Sequence, residues 1–375
     1  MEQAVSSRQA WQHLGNARGV AALVVFLAHV VQVHWLRYNG LGSLEHTVSS
    51  ALSTYAVVAF FVLSGFLVTH SLESNVRRNG RLRLDQYAAS RLARIYPPLV
   101  LAIVLCVVIF KSMQVFSLPG VDLPLGFDGD AYRAREVVHL DPRELRSALL
   151  MVTGLFELNG PLWSLYIEVK LYVLLGLWFA LAARRLSAIV YGALFAICLY
   201  KSMQTSPGFL HHASFWLTGA CAYYLWGRPA DASRARGLYL LALACVAAVL
   251  LRHGMDVEPV ATGLARWLLL DLPLAWAMAW LLFARRLDLP FGGKIEHCSY
   301  SLYLMHFPLL LLSEALLTRF GQPQAGVVFW VSVMSMLAAA ILASAGGWLK
   351  RRKCWFEARL LTAFSYSQRM VCRCS

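Results

Sequence analysis

Charged residues are scarce in this chain. Only 14% of its 375 residues are Asp, Glu, Lys or Arg, against about a quarter in soluble globular proteins. Hydrophobic residues make up 59%, and the mean hydropathy is +0.57. This composition excludes an ordinary soluble enzyme. Repeated apolar windows of about 20 residues, each long enough to cross a bilayer, instead predict an all-α, polytopic transmembrane bundle.

Several signatures of common enzyme classes are also absent. The sequence has no metal-ligand spacing, no P-loop, no dinucleotide-binding G-x-G-x-x-G and no G-x-S-x-G elbow. It shows no Gly/Ser linker, no internal repeat and no cleavable signal peptide. These absences predict no metal cofactor and one membrane domain over residues 1–375. Its spans would lie within 17–349, followed by a basic tail at 350–375 and no fused soluble domain.

Ten apolar segments define the predicted spans. They lie near Ala17–Leu36, Ser49–Ser71, Leu92–Met113, Pro161–Ala183, Ser187–Gln204, Phe209–Gly227, Gly237–His253, Thr262–Ala284, Cys298–Thr318 and Gly326–Leu349. The apolar segment Leu145–Leu158 is too short to cross, so it predicts an interfacial or re-entrant helix before the fourth span.

Basic residues set the predicted orientation. They cluster after every even-numbered span, for example at Arg77, Arg184, Arg228, Arg285 and Lys350. The positive-inside rule then places both termini in the cytoplasm. The net charge of +14 follows from this topology and from attraction to anionic lipid, so it does not indicate a nucleic-acid partner.

Two polar residues stand out in the first span, which reads ARGVAALVVFLAHVV. Arg18 and His29 are eleven residues apart, which is about three helical turns, so both side chains project from one face roughly 16 Å apart. A charged side chain facing lipid costs about 2.5 kcal/mol or more. The pair therefore predicts a polar groove that runs from the cytoplasmic edge towards the middle of the membrane.

A second polar pair lies at the start of the third span, in DQYAASRLARIYPP. Arg91 and Arg94 are three residues apart on one helix face. Guanidinium groups presented together suit a phosphate, because each offers a planar fork of donors. Simple anchoring at the cytoplasmic surface is the alternative interpretation.

The fourth span, in NGPLWSLYIEVKLY, carries Glu168. It lies about 10 Å inward from the outer face, and His29 lies about 17 Å outward from the cytoplasmic edge. In a hydrocarbon core of about 30 Å these depths are similar. The two side chains are therefore predicted to meet, with the carboxylate orienting the imidazole as a base. A structural His–Glu pair remains the alternative.

Later spans add further titratable groups. His211 and His212 are predicted at a wetted outer interface, and Asp271 is predicted to pair structurally with Arg266. His306 either lines the same groove as His29 or forms a hydrogen bond within the bundle; the sequence leaves both readings open.

The pattern resembles the membrane acyltransferase family 3, which includes O-acetyltransferases of bacterial surface polysaccharides and Nod factors. The matching motifs are ARGVAALVVFLAH, FFVLSGFL, RLARIYP, NGPLWSLYIEVKLY and SYSLYLMHFPL, in the family's order along almost the whole chain. The chain differs from many members in its end, RKCWFEARLL, and it lacks the extracytoplasmic hydrolase-like domain that some members append.

The resemblance implies an enzyme and a set of site residues. It implies a multi-pass O-acetyltransferase of the bacterial inner membrane, with acetyl-CoA as cytoplasmic donor and an exported or lipid-linked carbohydrate as acceptor. The family's functional positions correspond to Arg18, His29, Arg91, Arg94 and Glu168. Candidate substrate-binding residues in the matching motifs are Asn159, Trp163, Tyr303 and His306.

Two other functions compete with this one. A proton-coupled transporter of a polar solute also has buried His, Glu and Arg, but it would be favoured by two similar halves with matched broken helices, which the sequence does not show. A non-catalytic partner in polysaccharide assembly would tolerate changes at Arg91 and His29.

Acetyl transfer needs a base for the acceptor hydroxyl and stabilisation of an oxyanion. His29 suits the role of base in direct transfer, or that of nucleophile if the reaction passes through an acetyl-His intermediate.

Overall fold

The structure is a computed structural model that describes residues 12–125, 137–183, 188–206, 208–227, 266–286, 296–320 and 324–351, with isolated positions at 359, 360 and 362. Every regular element in these segments is helical, which confirms the all-α prediction. Seven described helical segments are long and apolar enough to cross a membrane.

We number the helices in chain order. They are α1 (Gln12–Val30), α2 (Leu44–Asn79), α3 (Leu84–Val115), α4 (Pro142–Leu149), α5 (Leu162–Ala183), α6 (Ala188–Thr205), α7 (Phe209–Ala222), α8 (Leu272–Ala279), α9 (Ser299–Arg319) and α10 (Ala325–Arg351). π-helical turns extend or flank them at Val31–Trp35, Tyr223–Gly227, Trp267–Asp271 and Trp280–Ala284.

The seven segments are built on α1, α2, α3, α5, α8, α9 and α10. Helices α6 and α7 occupy the predicted fifth and sixth spans but fall outside this group. The predicted seventh span, Gly237–His253, lies outside the described residues. The count of ten spans and the cytoplasmic position of both termini therefore stay predictions.

Helices α2 and α7 touch through two glycines. A Cβ on Gly65 would overlap the backbone carbonyl of Trp216, and a Cβ on Gly219 would overlap the carbonyl of Val62. Small residues allow membrane helices to approach at backbone distance, where dispersion and weak backbone contacts stabilise the pair. This crossing fixes the position of Ser64, which lies next to Gly65 and accepts a hydrogen bond from Trp216 Nε1 at 3.3 Å.

Helix α3 continues through two consecutive prolines. Pro97 and Pro98 lie inside Leu84–Val115. Because proline has no N–H, the carbonyls four residues earlier, at Ala93 and Arg94, lose their usual helical donors. Such a site is tolerated at membrane depth where it is buried in protein or borders a cavity. Arg94 does line a cavity, described below.

The segment before α5 differs from the prediction. The short helix expected over Leu145–Leu158 runs instead over Pro142–Leu149, and the chain then turns irregularly up to Leu162. Gly154 has a φ of 108° and approaches the backbone of Glu144 so closely that a Cβ would lie 2.7 Å from that carbonyl oxygen. A continuous helix is incompatible with this backbone.

Buried polar contacts join the segment after α1, which consists of the π turn Val31–Trp35 and a short helix at Leu36–Asn39, to α9 and α10. His34 Nδ1 lies 2.9 Å from Ser332 Oγ, and its Nε2 lies 2.9 Å from Ser313 Oγ. Arg37 forms a buried ion pair with Glu314. Polar pairs of this kind hold helices together in a medium that offers no competing water.

Candidate active site

In the described part of the bundle, two neighbouring cavities share the lining residues Val57 of α2 and Tyr303 of α9. The larger, of about 720 Å³, is lined by His29, His211, His212, Trp163 and Asp271 among others; we call it the histidine cavity. The smaller, of about 50 Å³, is lined by Arg18, Arg94, Glu168, Ser64 and Tyr172 among others; we call it the arginine cavity. The groove predicted from Arg18 to His29 is thus two chambers that meet at Val57 and Tyr303.

His29 lies beside His306, and the hydrogen bonds define the tautomer of both rings. His29 Nδ1 lies 2.8 Å from His306 Nε2, and His306 Nδ1 lies 3.0 Å from the carbonyl oxygen of Leu302. A carbonyl can only accept, so the proton of a neutral His306 sits on Nδ1 and leaves Nε2 as an acceptor. His29 must then donate from Nδ1, which places its own lone pair on Nε2. This is the form in which an imidazole acts as a base or nucleophile.

Aromatic side chains fix this pair of rings. The planes of His29 and His306 are only 7° apart. Phe26 meets the ring of His306 edge-on at 5.5 Å, and Phe307 meets that of His29 in the same way at 5.5 Å. His306 is 1% exposed. Packing on several sides leaves the rings little freedom to rotate, so the direction of His29 Nε2 is set before any substrate binds.

Glu168 has different partners from those predicted. Its Oε1 accepts hydrogen bonds from Ser64 Oγ and from Tyr172 OH, each at 2.5 Å. The prediction that Glu168 is the residue that orients His29 is therefore wrong, because His29 Nδ1 contacts the imidazole of His306. Counting residues along each span gives a depth in the membrane but not the direction in which each helix face turns, and the two residues line different cavities.

The charged groups of the arginine cavity are close enough to interact. Arg18 interacts electrostatically with Arg94 and Glu168, and all three line the cavity. The described lining itself carries two guanidinium groups and one carboxylate, which is an excess of one positive charge, and Arg18 also interacts with Glu296 outside the lining. Such a chamber favours an anionic ligand or a developing negative charge, and electrostatic attraction is strong where water is excluded.

Arg91 does not share this position. Its guanidinium lies 5.4 Å from the ring centres of both Tyr87 and Tyr172, and the residue is 9% exposed. Stacking on aromatic faces is a common way to hold a buried guanidinium. Arg94 lines the cavity and Arg91 lies behind Tyr172, a lining residue that interacts with both guanidinium groups. The prediction that the two arginines together bind a phosphate stays a prediction.

The remaining candidate residues separate into two groups. Asn159 is fully buried and donates from Nδ2 to the carbonyl of Leu304 at 2.8 Å, so it ties the turn before α5 to α9. Trp163 lines the histidine cavity, 4.7 Å from the ring of His212. Tyr303 borders both cavities, with its hydroxyl 2.6 Å from Ser164 Oγ.

Sequence reasoning missed part of this site. His211, His212, Arg266 and Asp271 line the histidine cavity, a location that the pattern did not predict. The predicted pairing of Asp271 with Arg266 is present, with Arg266 Nε 3.9 Å from Asp271 Oδ2. Tyr172 was also overlooked, yet it lies four residues after Glu168 and hence on the same helix face. Within the described residues, no group of three or more His, Cys, Asp or Glu side chains could hold a metal ion.

Comparison with known proteins identifies the family. The acyltransferase 3 family model, described as an acyltransferase domain, matches residues 12–349. Protein 2 of the picA locus of Rhizobium radiobacter is 31% identical over 191 residues, which cover 47% of this chain and 86% of that protein. Acyltransferase MdmB of Streptomyces mycarofaciens is 27% identical over 171 residues, covering 46% of this chain and 40% of MdmB.

No solved structure matches the chain. The family model, in contrast, extends from the start of α1 into α10 and so includes every residue of both cavities. With its helices of membrane-spanning length, the chain belongs to the acyltransferase 3 family of membrane acyltransferases.

Proposed function

We propose that this acyltransferase is an O-acyltransferase that moves an acetyl group from acetyl-CoA to a hydroxyl of an exported or lipid-linked carbohydrate. The observation that carries the proposal is the His29–His306 pair. It supports His29 as a base in a chain whose family transfers acyl groups, and His29 lines a cavity large enough for a small-molecule acceptor.

The donor would enter through the arginine cavity. The excess positive charge of Arg18 and Arg94 suits the phosphates or the thioester oxygen of an acyl-CoA. The pantetheine arm is about 15–20 Å long by the reach of an extended chain, which is comparable to the separation of Arg18 and His29 along α1. The acyl group would then reach the boundary at Tyr303. Arg91, held between Tyr87 and Tyr172, would position the wall of this cavity.

The chemistry needs one base. The acceptor hydroxyl would lose its proton to His29 Nε2 while its oxygen attacks the thioester carbonyl. The new C–O bond forms, the C–S bond breaks, and the proton on His29 passes to the CoA sulfur. His306 would hold His29 in the required tautomer through Nδ1, as the third member of a triad orients its base.

The proposal also includes the orientation of the protein in the membrane. With both termini in the cytoplasm of a bacterial inner membrane, Arg18 and Arg94 would lie towards the cytoplasm, where acyl-CoA is found, and the histidine cavity would lie towards the outer face. A reporter fused after Arg81 should read cytoplasmic, and one fused at Asp128 should read external. A cytoplasmic signal at Asp128 would contradict this sidedness.

The direct test measures chemistry, because a transporter would also lose function when His29 is changed. Purified protein is given labelled acetyl-CoA and a surface-carbohydrate fraction, and released CoA and acylated carbohydrate are followed together. His29→Ala should lower the rate by roughly 100-fold or more, the usual contribution of a positioned base. His139→Ala is the matched control, since His139 is highly exposed. A parental rate in His29→Ala, or no CoA release by the parent, would refute the proposal.

A further inference from the structure

We infer that Asp271, His211, Arg266 and Tyr55 form a binding subsite for a neutral, hydroxyl-rich ring of the acceptor. This inference rests on the proposed function, since it assigns the acceptor to the histidine cavity. Asp271, His211 and Arg266 line the same cavity as His29. None of the four residues takes part in the base chemistry described above.

Three of these side chains converge on the buried carboxylate of the fourth, Asp271. Tyr55 OH donates to Asp271 Oδ1 at 3.3 Å. His211 Nε2 lies 3.3 Å from Asp271 Oδ2, and Arg266 Nε lies 3.9 Å from the same oxygen. Asp271 is only 5% exposed. A carboxylate buried at membrane depth is costly, so its presence beside a cavity indicates a function.

These contacts are loose. Charge-assisted hydrogen bonds are usually about 2.7–2.9 Å long, and a carboxylate offers about four lone-pair positions. The three contacts that described residues make to Asp271 are all longer than that, so among these residues the carboxylate has room for a further donor. A ligand hydroxyl that donates to Asp271 could shorten its own contact without first breaking a tight ion pair. This geometry suits the binding of a ligand that donates a hydrogen bond to Asp271.

The local backbone explains how Arg266 and Asp271 come together. They are five residues apart, a spacing that an ordinary α-helix turns to different faces. The π-helical turn Trp267–Asp271 has i→i+5 hydrogen bonding and so brings residues five apart towards one face. Trp267 Nε1 donates to Ser214 Oγ at 2.9 Å, which fastens this turn to α7, the helix that carries His211.

The chemistry of the lining selects the ligand class. Asp271 and Arg266 carry opposite charges that cancel, so the subsite favours neither a phosphate nor an amine. A carboxylate that accepts and a guanidinium that donates together match neighbouring hydroxyl groups. Aromatic walls, including Trp163 and Phe215, offer apolar surface to the C–H face of a sugar ring. A neutral sugar combines both properties.

The test measures binding without turnover. Saturation-transfer NMR on the purified full chain uses three probes, the methyl glycosides of a neutral hexose, a uronic acid and an amino sugar. The parent should bind the neutral glycoside best. Asp271→Asn should weaken that binding by roughly 10-fold or more, the effect of losing a charged hydrogen bond. It should also improve uronic acid binding, because Arg266 is then left unbalanced.

Two further variants show whether a change in glycoside binding is specific to the Asp271 cluster. Tyr55→Phe retains the ring but removes one donor to Asp271, so neutral-glycoside binding should fall by roughly 2- to 10-fold. Asp122→Asn, at an exposed aspartate outside the cavity lining, should change nothing. Equal binding and equal selectivity in the parent, Asp271→Asn and Tyr55→Phe would overturn the inference.

The subsite and the proposed reaction fail in different ways. Glycoside binding that depends on Asp271, without CoA release from acetyl-CoA, would support the subsite and count against acyl transfer. CoA release that depends on His29, with glycoside binding indifferent to Asp271, would support acyl transfer and overturn the subsite.

Discussion

Replacing His306 tests whether it acts through His29. His306→Leu removes the acceptor for His29 Nδ1, whose contact with His306 Nε2 is 2.8 Å. The surroundings tolerate leucine, because Phe26, Phe307 and Tyr303 already present apolar ring surface to this position. The backbone carbonyl of Leu302 loses a second donor but belongs to a regular helix, so little else should change.

The size of the effect follows from the lost hydrogen bond. A buried donor without its partner costs about 1–3 kcal/mol, and if that cost falls on the reactive form of His29 the rate should drop roughly 5- to 150-fold. His306→Gln places an amide oxygen near the former Nε2, where it can accept from His29 Nδ1. Its rate should therefore stay within roughly tenfold of the parent.

The decisive assay is a double-mutant cycle on CoA release at saturating acetyl-CoA. If His306 is a positioning residue, adding His306→Leu to His29→Ala should cost nothing further, since the group that it positions is already gone. Thermal unfolding of each purified variant serves as the folding control. A double variant slowed by the product of the two single effects would show that His306 acts independently, and the relay would be wrong.

The fold and the proposed donor path make three further predictions. Gly65→Ala should lower stability in thermal unfolding by about 1–3 kcal/mol or more through overpacking against α7. Its control, Gly192→Ala, has open space around its position and should be neutral or stabilising. Equal melting temperatures for the two variants would contradict the close crossing of α2 and α7. Val57→Phe should narrow the boundary between the two cavities and slow acyl transfer roughly a hundredfold, the effect of a 1 Å misplacement of the reacting groups. CoA binding, measured by titration calorimetry, should be retained. Loss of CoA binding would refute the placement of Val57 at this boundary. Arg94→Ala should weaken CoA binding by about 1.5–3 kcal/mol, the value of a charge-assisted contact. Arg91→Ala should weaken CoA binding less. A larger loss of CoA affinity in Arg91→Ala than in Arg94→Ala would reverse the proposed roles of the two arginines.

The sequence predicted the helices well and their ends less well. The second span was expected over Ser49–Ser71, but α2 runs over Leu44–Asn79. Hydropathy reports only the apolar centre of a span, while the helix continues into polar residues on both sides. Helix α2 begins at the N-cap Ser43, whose side chain accepts from His46 N, and it ends at Gly80 in the left-handed region. These capping signals lie outside the apolar window, so they mark the ends more reliably than hydropathy does.

The site was predicted in composition but not in pairing. Counting residues along each span gives depth, and depth was the ground for expecting His29 beside Glu168, which in the structure line two different cavities. Depth carries no information about rotation around the helix axis. That rotation depends on which helices touch, here through Gly65 and Gly219 of α2 and α7, and on π turns that change the helical phase. The pairing of His29 with His306, 277 residues later, is a property of that packing.

The two-chamber arrangement fits the demands that the proposed reaction places on its substrates. An acyl-CoA is anionic and suits the positively charged arginine cavity, whereas a neutral acceptor suits the charge-balanced histidine cavity. A single open channel would expose the thioester to water, and His29 would promote hydrolysis as readily as transfer. A boundary formed by Val57 and Tyr303 would admit the narrow acyl end while excluding bulk solvent. Tyr303 is held there by Ser164 and by the carbonyl of Pro161 at 3.1 Å, so the boundary is part of the packed bundle. Selectivity for transfer over hydrolysis would then depend on how well this boundary is packed, and a looser boundary in Tyr303→Ala should raise acceptor-independent CoA release. An unchanged ratio of hydrolysis to transfer in that variant would show that the exclusion of water lies elsewhere in the protein.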